Sequence, residues 1–153
     1  MKKILIAYFS RSGTTERMAQ YIAEGVRIAG HQVELKKIAD VTSEKDLGGY
    51  DGLIFGAPTY HLDMPEPLKR FFAIVEKADL AGKAGGAFSS RTHPSSGGGG
   101  AAAQIFDLME SKLKMRMTNL GPFELEGSLI GQEQDMHTCQ DYGKSVAAIP
   151  GPV

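Results

Sequence analysis

Apolar residues occur along the chain in several runs that are too short for helices. Three of these runs are continuous, at Ile4–Phe9, Leu53–Ala57 and Ala84–Phe88. Continuous apolar runs of this length are typical of strands that a parallel sheet covers on both faces. The segment His31–Ile38 alternates apolar and polar positions, which predicts a half-exposed edge strand. A fifth strand is predicted in the weaker stretch Met117–Leu125, where an internal Gly-Pro pair suits an edge strand or a bulge.

Between these runs the apolar residues recur at helical spacing. Met18, Ile22 and Val26 fall at i, i+4 and i+8, which predicts a helix opened by Thr15. Gly30 follows at the place where a left-handed residue commonly ends a helix. Three further helices are predicted after Glu66, after Ala101 and from about Asp135 to Ala148.

This strand–helix alternation predicts a single α/β domain spanning residues 1–153. The expected architecture is a doubly wound five-stranded parallel sheet with helices on both faces. The continuous runs suit central strands and the other two suit edges, so the strand order is predicted to be 2-1-3-4-5. In such sheets ligands bind beyond the strand carboxyl ends, where the order reverses between strands 1 and 3. The loops of interest therefore follow Phe9, Ala57 and Phe88.

The first of these loops reads SRSGTTE, Ser10–Glu16, and leads into the first predicted helix. A helix N-terminus offers free N–H groups and partial positive charge, both of which suit a phosphate. Gly13 lets the backbone approach a ligand closely, and the loop contains no lysine, which favours a phosphate that is held rather than transferred. A well-capped helix with spare hydroxyls is the alternative interpretation. The hydroxyl groups are those of Ser10, Ser12, Thr14 and Thr15.

The second loop, GAPTYHLDMP, follows the third strand and spans Gly56–Pro65. Pro58 stiffens the exit from the strand and Thr59 offers a hydroxyl. Tyr60 and His61 place flat rings at the edge of the sheet, where they are available for stacking.

The third loop, SSRTHPSSGGGG, is predicted to span Ser89–Gly100 and contains Arg91 and His93. Long loops without secondary structure in a compact domain are usually functional. Taken singly, each ring in the second and third loops is equally well explained as a surface side chain. Three loops that converge on one crevice favour a binding site.

Charge and cysteine content exclude several classes of function. The chain has 17 basic and 18 acidic residues, a net charge of −1, which offers no attraction to nucleic acid or to an anionic membrane. Cys139 is the only cysteine, so no internal disulfide can form, and a packed residue is favoured over a nucleophile. No apolar run is long enough to cross a bilayer, and the start leads into a strand rather than a signal peptide. A cytoplasmic location is expected.

Motif comparison narrows the chemistry further. The nearest Walker A pattern fails because Thr138 stands where its first glycine is required, and the dinucleotide fingerprint does not follow the first strand. A phosphatase of the low-molecular-weight type is disfavoured, because the first loop contains no cysteine. A response regulator is disfavoured as well, because no aspartate ends the first or the third strand. The four histidines are scattered without ligand spacing, so no metal site is predicted.

The motifs SRSGTT, GAPTYH and the glycine-ended third loop together resemble the flavodoxin family, as does QDYGKSVA at Gln140–Ala147. The resemblance covers essentially the whole chain and implies an FMN-binding domain. The phosphate would be wrapped by Ser10, Arg11, Ser12, Gly13, Thr14 and Thr15. The ribityl chain and one flavin face would contact Pro58, Thr59, Tyr60 and His61. The other side and the pyrimidine edge would be bordered by Ser89, Ser90, Arg91, Thr92 and His93, with Gly97 and Gly98 nearby.

Two departures from the family pattern bear on function. Flavodoxins that shuttle electrons are usually strongly acidic and place a Trp or Tyr over the flavin, whereas this chain is nearly neutral and has no Trp. The leading hypothesis is electron transfer between redox partners, by a monomer or weak homo-oligomer. An FMN-dependent NAD(P)H:quinone-type reductase is one alternative, because an open third loop leaves room for a flat substrate. A non-redox module that binds a phosphorylated ligand or acts as a regulator is the other.

Overall fold

The computed structural model describes residues 1–60, 64–91, 100–127 and 132–150. Six strands in these ranges form one sheet, and every pairing among them is parallel. The sheet order is β2-β1-β3-β4, with both β5 and β6 beside β4, so the predicted order is confirmed. The strands are β1 (Lys3–Tyr8), β2 (Gln32–Lys37), β3 (Gly52–Pro58), β4 (Ala84–Arg91), β5 (Arg116–Met117) and β6 (Phe123–Glu126).

Four α-helices in the described ranges connect the strands and cover both faces of the sheet. They are α1 (Thr14–Ile28), α2 (Glu66–Val75), α3 (Gly100–Asp107) and α4 (Glu133–Ala147). Successive β1 residues point to opposite faces: Ile4 and Ile6 pack with α1 and α4, whereas Leu5 and Ala7 pack with α2 and α3. The prediction of helices on both faces is therefore confirmed. None of the helices in the described residues has the length and apolar character needed to cross a bilayer.

The predicted fifth strand is present in two parts. In β5, Arg116 pairs with Ala84 near the start of β4, and in β6, Glu124 pairs with Ser89 near its end. The Tyr142 hydroxyl of α4 lies at this interruption. It accepts the Ala87 N–H at 3.0 Å and lies 2.7 Å from the Gly121 carbonyl oxygen. The Tyr142 side chain thus supplies hydrogen bonds to β4 that an unbroken neighbouring strand would otherwise supply. Burial of this hydroxyl raises the pKa of Tyr142.

Helices α1 and α4 are packed with their backbones in direct contact. A Cβ at Gly25 would overlap the carbonyl oxygen of Gln140, and a Cβ at Gly143 would overlap that of Ile22. Both contacts require glycine. This packing fixes α1, and therefore its N-terminus, relative to the sheet.

Two strands extend further than the apolar pattern predicted. β3 continues through Pro58, and β4 continues through Arg91. Ser89 and Ser90 were therefore wrongly placed in a loop: they lie in a strand and are 0% and 5% exposed. Hydrogen bonds inside the protein satisfy their hydroxyls, which is why polar residues can continue a buried strand.

Candidate functional site

The N-terminus of α1 lies at the carboxyl end of the sheet, directly after β1. Its N-cap is Gly13, with φ of 88°, and no side chain forms a capping hydrogen bond there. The loop is therefore not the hydroxyl-capped helix start of the alternative interpretation. The amides of the first turn have no side-chain acceptor among the described residues, and they lie at the positive end of the helix dipole.

Three of the four loop hydroxyls remain close to this helix end. Ser10 Oγ accepts the Gly13 N–H at 3.0 Å, which leaves the hydroxyl hydrogen of Ser10 free to donate. Ser12 Oγ and Thr14 Oγ1 lie 3.2 Å apart. Because one of these two hydroxyls donates to the other, at least one hydrogen of the pair is still available to a ligand.

A small polar cavity of about 130 Å³ opens beside the start of α1. Ser12, Gly13 and Thr14, three of the residues predicted to contact a phosphate, line this cavity. Arg17 and Gly127 complete the lining and were missed by sequence analysis. Arg17 lies one helical turn beyond Gly13, a spacing that could have identified it, whereas Gly127 is brought in by β6 from a distant part of the chain.

Thr15 occupies a different position from its neighbours. Its side chain is buried, 1% exposed, and its Oγ1 lies 2.8 Å from Ser90 Oγ in β4. The two residues, both predicted to border the ligand, thus join the first loop to β4 from within the protein.

The remaining side chains of the first loop region are also engaged. The Arg11 guanidinium lies over the Phe9 ring at 5.6 Å from its centroid. The Tyr8 hydroxyl donates to Glu16 Oε2 at 2.7 Å, and burial, followed by the Glu16 carboxylate, raises the pKa of Tyr8 to about 12. Ser10 also borders a cavity of about 430 Å³ that extends past Phe9 toward the end of β2 and Pro67.

Glu124 connects the second and third loop regions and was not identified from the sequence. Its side chain is 7% exposed. Oε2 accepts hydrogen bonds from Thr59 Oγ1 and, at 2.6 Å, from Ser89 Oγ. Oε1 pairs with Arg91 Nη1 at 3.4 Å. Arg91, expected at the pyrimidine edge of a ligand, is thus in an ion pair at the end of β4.

The N-terminus of α3 meets the same cluster. The Ala101 N–H donates to Thr59 Oγ1 at 3.2 Å, and the Ala102 N–H donates to Ser89 Oγ at 3.1 Å. Gly100 opens the helix with φ of 62°, and a Cβ there would overlap both Glu124 and Thr59. The last residue of the glycine run is therefore required by the backbone and by packing.

Tyr60 is positioned by α3. Its hydroxyl donates to Gln104 Oε1 at 2.7 Å, and burial raises the pKa of Tyr60. Pro58 ends β3 beside it. Five of the predicted site residues lie outside the described residues: His61, Thr92, His93, Gly97 and Gly98.

No group of three or more metal-ligating side chains is found among residues 1–60, 64–91, 100–127 and 132–150. Cys139 is buried, and burial raises the pKa of its thiol to about 12. The polar groups described at the carboxyl end of the sheet thus include amides, hydroxyls and three arginines, a donor set that suits an anion rather than a cation. The carboxylates of Glu16 and Glu124 there are hydrogen-bonded within the protein.

Comparison with known proteins agrees with this architecture. The family model of the flavodoxin domain matches residues 5–124. An NAD(P)H dehydrogenase (quinone) of Sinorhizobium fredii is 30% identical and aligns with 84% of this chain and 75% of its own length. A flavodoxin of Clostridium saccharobutylicum is 39% identical over 58% of this chain and 55% of its own. The crystal structure of oxidised Flavodoxin 2 from Bacillus cereus superposes with a TM-score of 0.78 at 29% identity, covering 95% of this chain and 97% of that one.

Proposed function

The chain belongs to the flavodoxin domain family, and from this premise we propose that it binds FMN and carries electrons between redox partners. The observation that carries the proposal is the uncapped N-terminus of α1, which opens onto a polar cavity lined by Arg17. A doubly charged phosphate monoester would bring acceptor oxygens to first-turn amides that no described side chain caps, and its charge suits the positive end of the helix dipole.

The groups around the cavity fit such a phosphate. The first-turn amides and the hydroxyls of Ser12 and Thr14 supply donors, and Arg17 supplies a full positive charge. Gly13 has nothing within 4 Å of a Cβ position, so the backbone is open to a ligand there. Ser10 and Arg11 lie in the same loop and would complete the phosphate contacts.

The second and third loops would hold the rest of the cofactor. Pro58, Thr59 and Tyr60 are proposed to line the ribityl chain and one face of the ring, with Arg91 near the opposite side. The loop residues proposed to complete this side are His61, Thr92, His93, Gly97 and Gly98. Thr15, Ser89 and Ser90 would support these contacts from inside, because their hydroxyls are bonded within the protein.

Bound FMN would supply the electron-accepting and electron-donating chemistry, and the protein would supply binding, orientation and local charge. Tyr60, fixed to α3 by Gln104, would present its ring at a set angle. The nearly neutral surface gives little long-range steering toward a strongly basic partner.

The test is uptake of FMN by the purified protein, with unbound flavin then removed by gel filtration. We expect about one flavin per chain in the protein peak, measured by absorbance. A protein that stays colourless after exposure to FMN would contradict the proposal and agree with the non-redox module.

A second function is favoured by the relatives named NAD(P)H dehydrogenase (quinone), because they align along most of this chain. In this version the FMN-loaded protein itself takes electrons from NAD(P)H and passes them to a quinone. Steady oxidation of NAD(P)H in the presence of a quinone, by protein free of other reductases, would establish it. Reduction only through an added flavoprotein reductase would favour the carrier.

A further inference from the structure

Glu124 accepts hydrogen bonds from three residues in two segments of the chain. Its carboxylate accepts from Thr59 after β3 and from Ser89 in β4, and it pairs with Arg91 at the end of β4. The same oxygen, Oε2, also lies against Gly100 at the start of α3. Arg91 therefore pairs with this buried carboxylate, and the backbone of Gly100 lies close against it.

The hydrogen atoms of this cluster can be assigned from its chemistry. An ionised carboxylate only accepts, so Thr59 and Ser89 each donate their single hydroxyl hydrogen to Glu124. Each hydroxyl then accepts an amide of α3, from Ala101 or Ala102. Neither hydroxyl has a hydrogen left for a ligand, and both connect the positive end of α3 to Glu124.

The charges of the cluster nearly cancel. The Arg91 side chain is 24% exposed and that of Glu124 is 7% exposed, so solvent screens this pair less than an exposed one. Removal of either partner leaves the charge of the other uncompensated. The remaining charge would then act on any redox group held by the adjacent loops.

We propose that Glu124 is the positioning residue for the flavin-ring side of the site, and that Glu124 and Arg91 each cancel the effect of the other's charge on the redox potential of the bound flavin. This inference rests on the proposed function, since it requires FMN between the second and third loops. Reduction adds negative charge to the flavin, so nearby positive charge favours it and nearby negative charge opposes it.

The test is a potentiometric titration of the FMN-loaded protein in three variants, followed by flavin absorbance. Glu124→Gln leaves Arg91 uncompensated and should raise the potential of the last electron added. Arg91→Gln leaves Glu124 uncompensated and should lower it. The double variant should return close to the wild-type potential, because no net charge is left at the pair.

Glu76→Gln is the matched control. It makes the same change in an exposed ion pair, Glu76 with Lys112, at the opposite end of the sheet. A merely structural role for Glu124 predicts shifts in one direction for all site variants, with the double variant the most disturbed. That pattern, or shifts no larger than those of the control, would overturn the inference.

The test also gives a result if a variant or the wild-type protein fails to bind FMN. If Glu124→Gln fails to retain FMN, Arg91→Gln decides alone: a lower potential supports the inference, and an unchanged or higher one overturns it. If the wild-type protein takes up no FMN, the proposed function fails, and amide exchange in the flavin-free protein tests the positioning role. Several-fold faster exchange of the Ala101 and Ala102 amides in Glu124→Gln supports it, and unchanged exchange contradicts it.

Discussion

Two helices begin at the same edge of the sheet, but the side chains that the structure describes cap the first amides of only one of them. α1 starts after Gly13 and α3 starts at Gly100, both glycines with positive φ. At α1 no side chain caps the helix among the described residues. At α3 the amides of Ala101 and Ala102 are bound by hydroxyls that are backed by a buried carboxylate.

The difference shows that residue type alone does not identify a ligand-binding group. Thr59 and Ser89 have the same hydroxyl chemistry as Ser12 and Thr14, but their hydrogens are taken by Glu124. At α3 the buried Glu124 carboxylate is connected to the first amides through two hydroxyls, whereas at α1 the first-turn carboxylate of Glu16 is bonded to Tyr8 and caps no amide. We therefore expect an external anion, the phosphate of the flavin, to bind at α1. The flavin ring is expected beside the hydrogen-bonded Glu124 cluster at the start of α3.

The largest expected effect comes from adding an anion at α1. Ser12→Asp places a carboxylate beside the cavity, where it should repel a phosphate and weaken FMN binding about 100-fold, or ~2.7 kcal/mol at partly screened dielectric. Ser12→Asn is the neutral control of nearly the same size and should stay within a few-fold of wild type. Fluorescence quenching of FMN measures both, and equal losses in the two variants would contradict the comparison.

Removing the internal anion at α3 should affect stability instead. Glu124→Gln should lower the free energy of unfolding by about 2–3 kcal/mol, because it leaves Arg91 unpaired and weakens two buried hydroxyl contacts. Glu76→Gln, in an exposed pair, should cost no more than ~1 kcal/mol. Chemical denaturation of the flavin-free proteins measures both. Equal small losses in the free energy of unfolding would show that Glu124 stabilises the protein no more than a surface ion pair does.

The elements of the fold that depend on residues close together in the sequence were predictable. The apolar run of β1 and the i, i+4, i+8 spacing after Thr15 indicated the first strand and helix to within a residue or two. The loop that we propose to bind phosphate belongs to the same local pattern, since strand, glycine and helix start lie within a dozen residues.

The end of β4 and the role of Glu124 were not predictable from the sequence, for a physical reason. Ser89 and Ser90 read as loop residues because they are polar, yet they are buried by partners distant in the chain. Ser89 bonds to Glu124, 35 residues away, and Ser90 to Thr15, 75 residues away. Local patterns carry no information on such pairings, so a buried carboxylate in a weak edge strand leaves no signal.

Thr14 and Thr15 are adjacent in α1 but have different surroundings: Thr14 lines the cavity, and Thr15 is bonded to Ser90. Thr15→Val should reduce stability by about 1–2 kcal/mol, because it leaves the buried Ser90 hydroxyl without its partner. FMN affinity should then change less than about threefold. Thr14→Val should do the reverse: stability nearly unchanged and FMN binding roughly five- to tenfold weaker, since Thr14 lines the cavity. Denaturation and FMN titration of both variants measure these effects. If Thr15→Val weakened FMN binding and Thr14→Val reduced stability, Thr15 rather than Thr14 would contact the ligand.

The smallest expected effect concerns Tyr8, which holds Glu16 in the first turn of α1. The folded protein raises the pKa of Tyr8 from 10.0 to about 12, so the neutral hydroxyl is favoured in the native state. This stabilisation is fully present below pH 10 and is lost as the pH rises toward 12. Tyr8→Phe should therefore show a shallower loss of stability than wild type between these values. Denaturation curves at stepped pH measure it, and parallel losses would contradict the assignment.

The proposed function depends on the binding of a flavin phosphate by the open N-terminus of α1. It is tested most directly by isothermal titration of the flavin-free protein with FMN and with riboflavin, which differ only by that phosphate. We predict that FMN binds at least about 100-fold more tightly, and that high salt narrows the difference. Equal affinity for the two flavins, or no binding of either, would contradict the account.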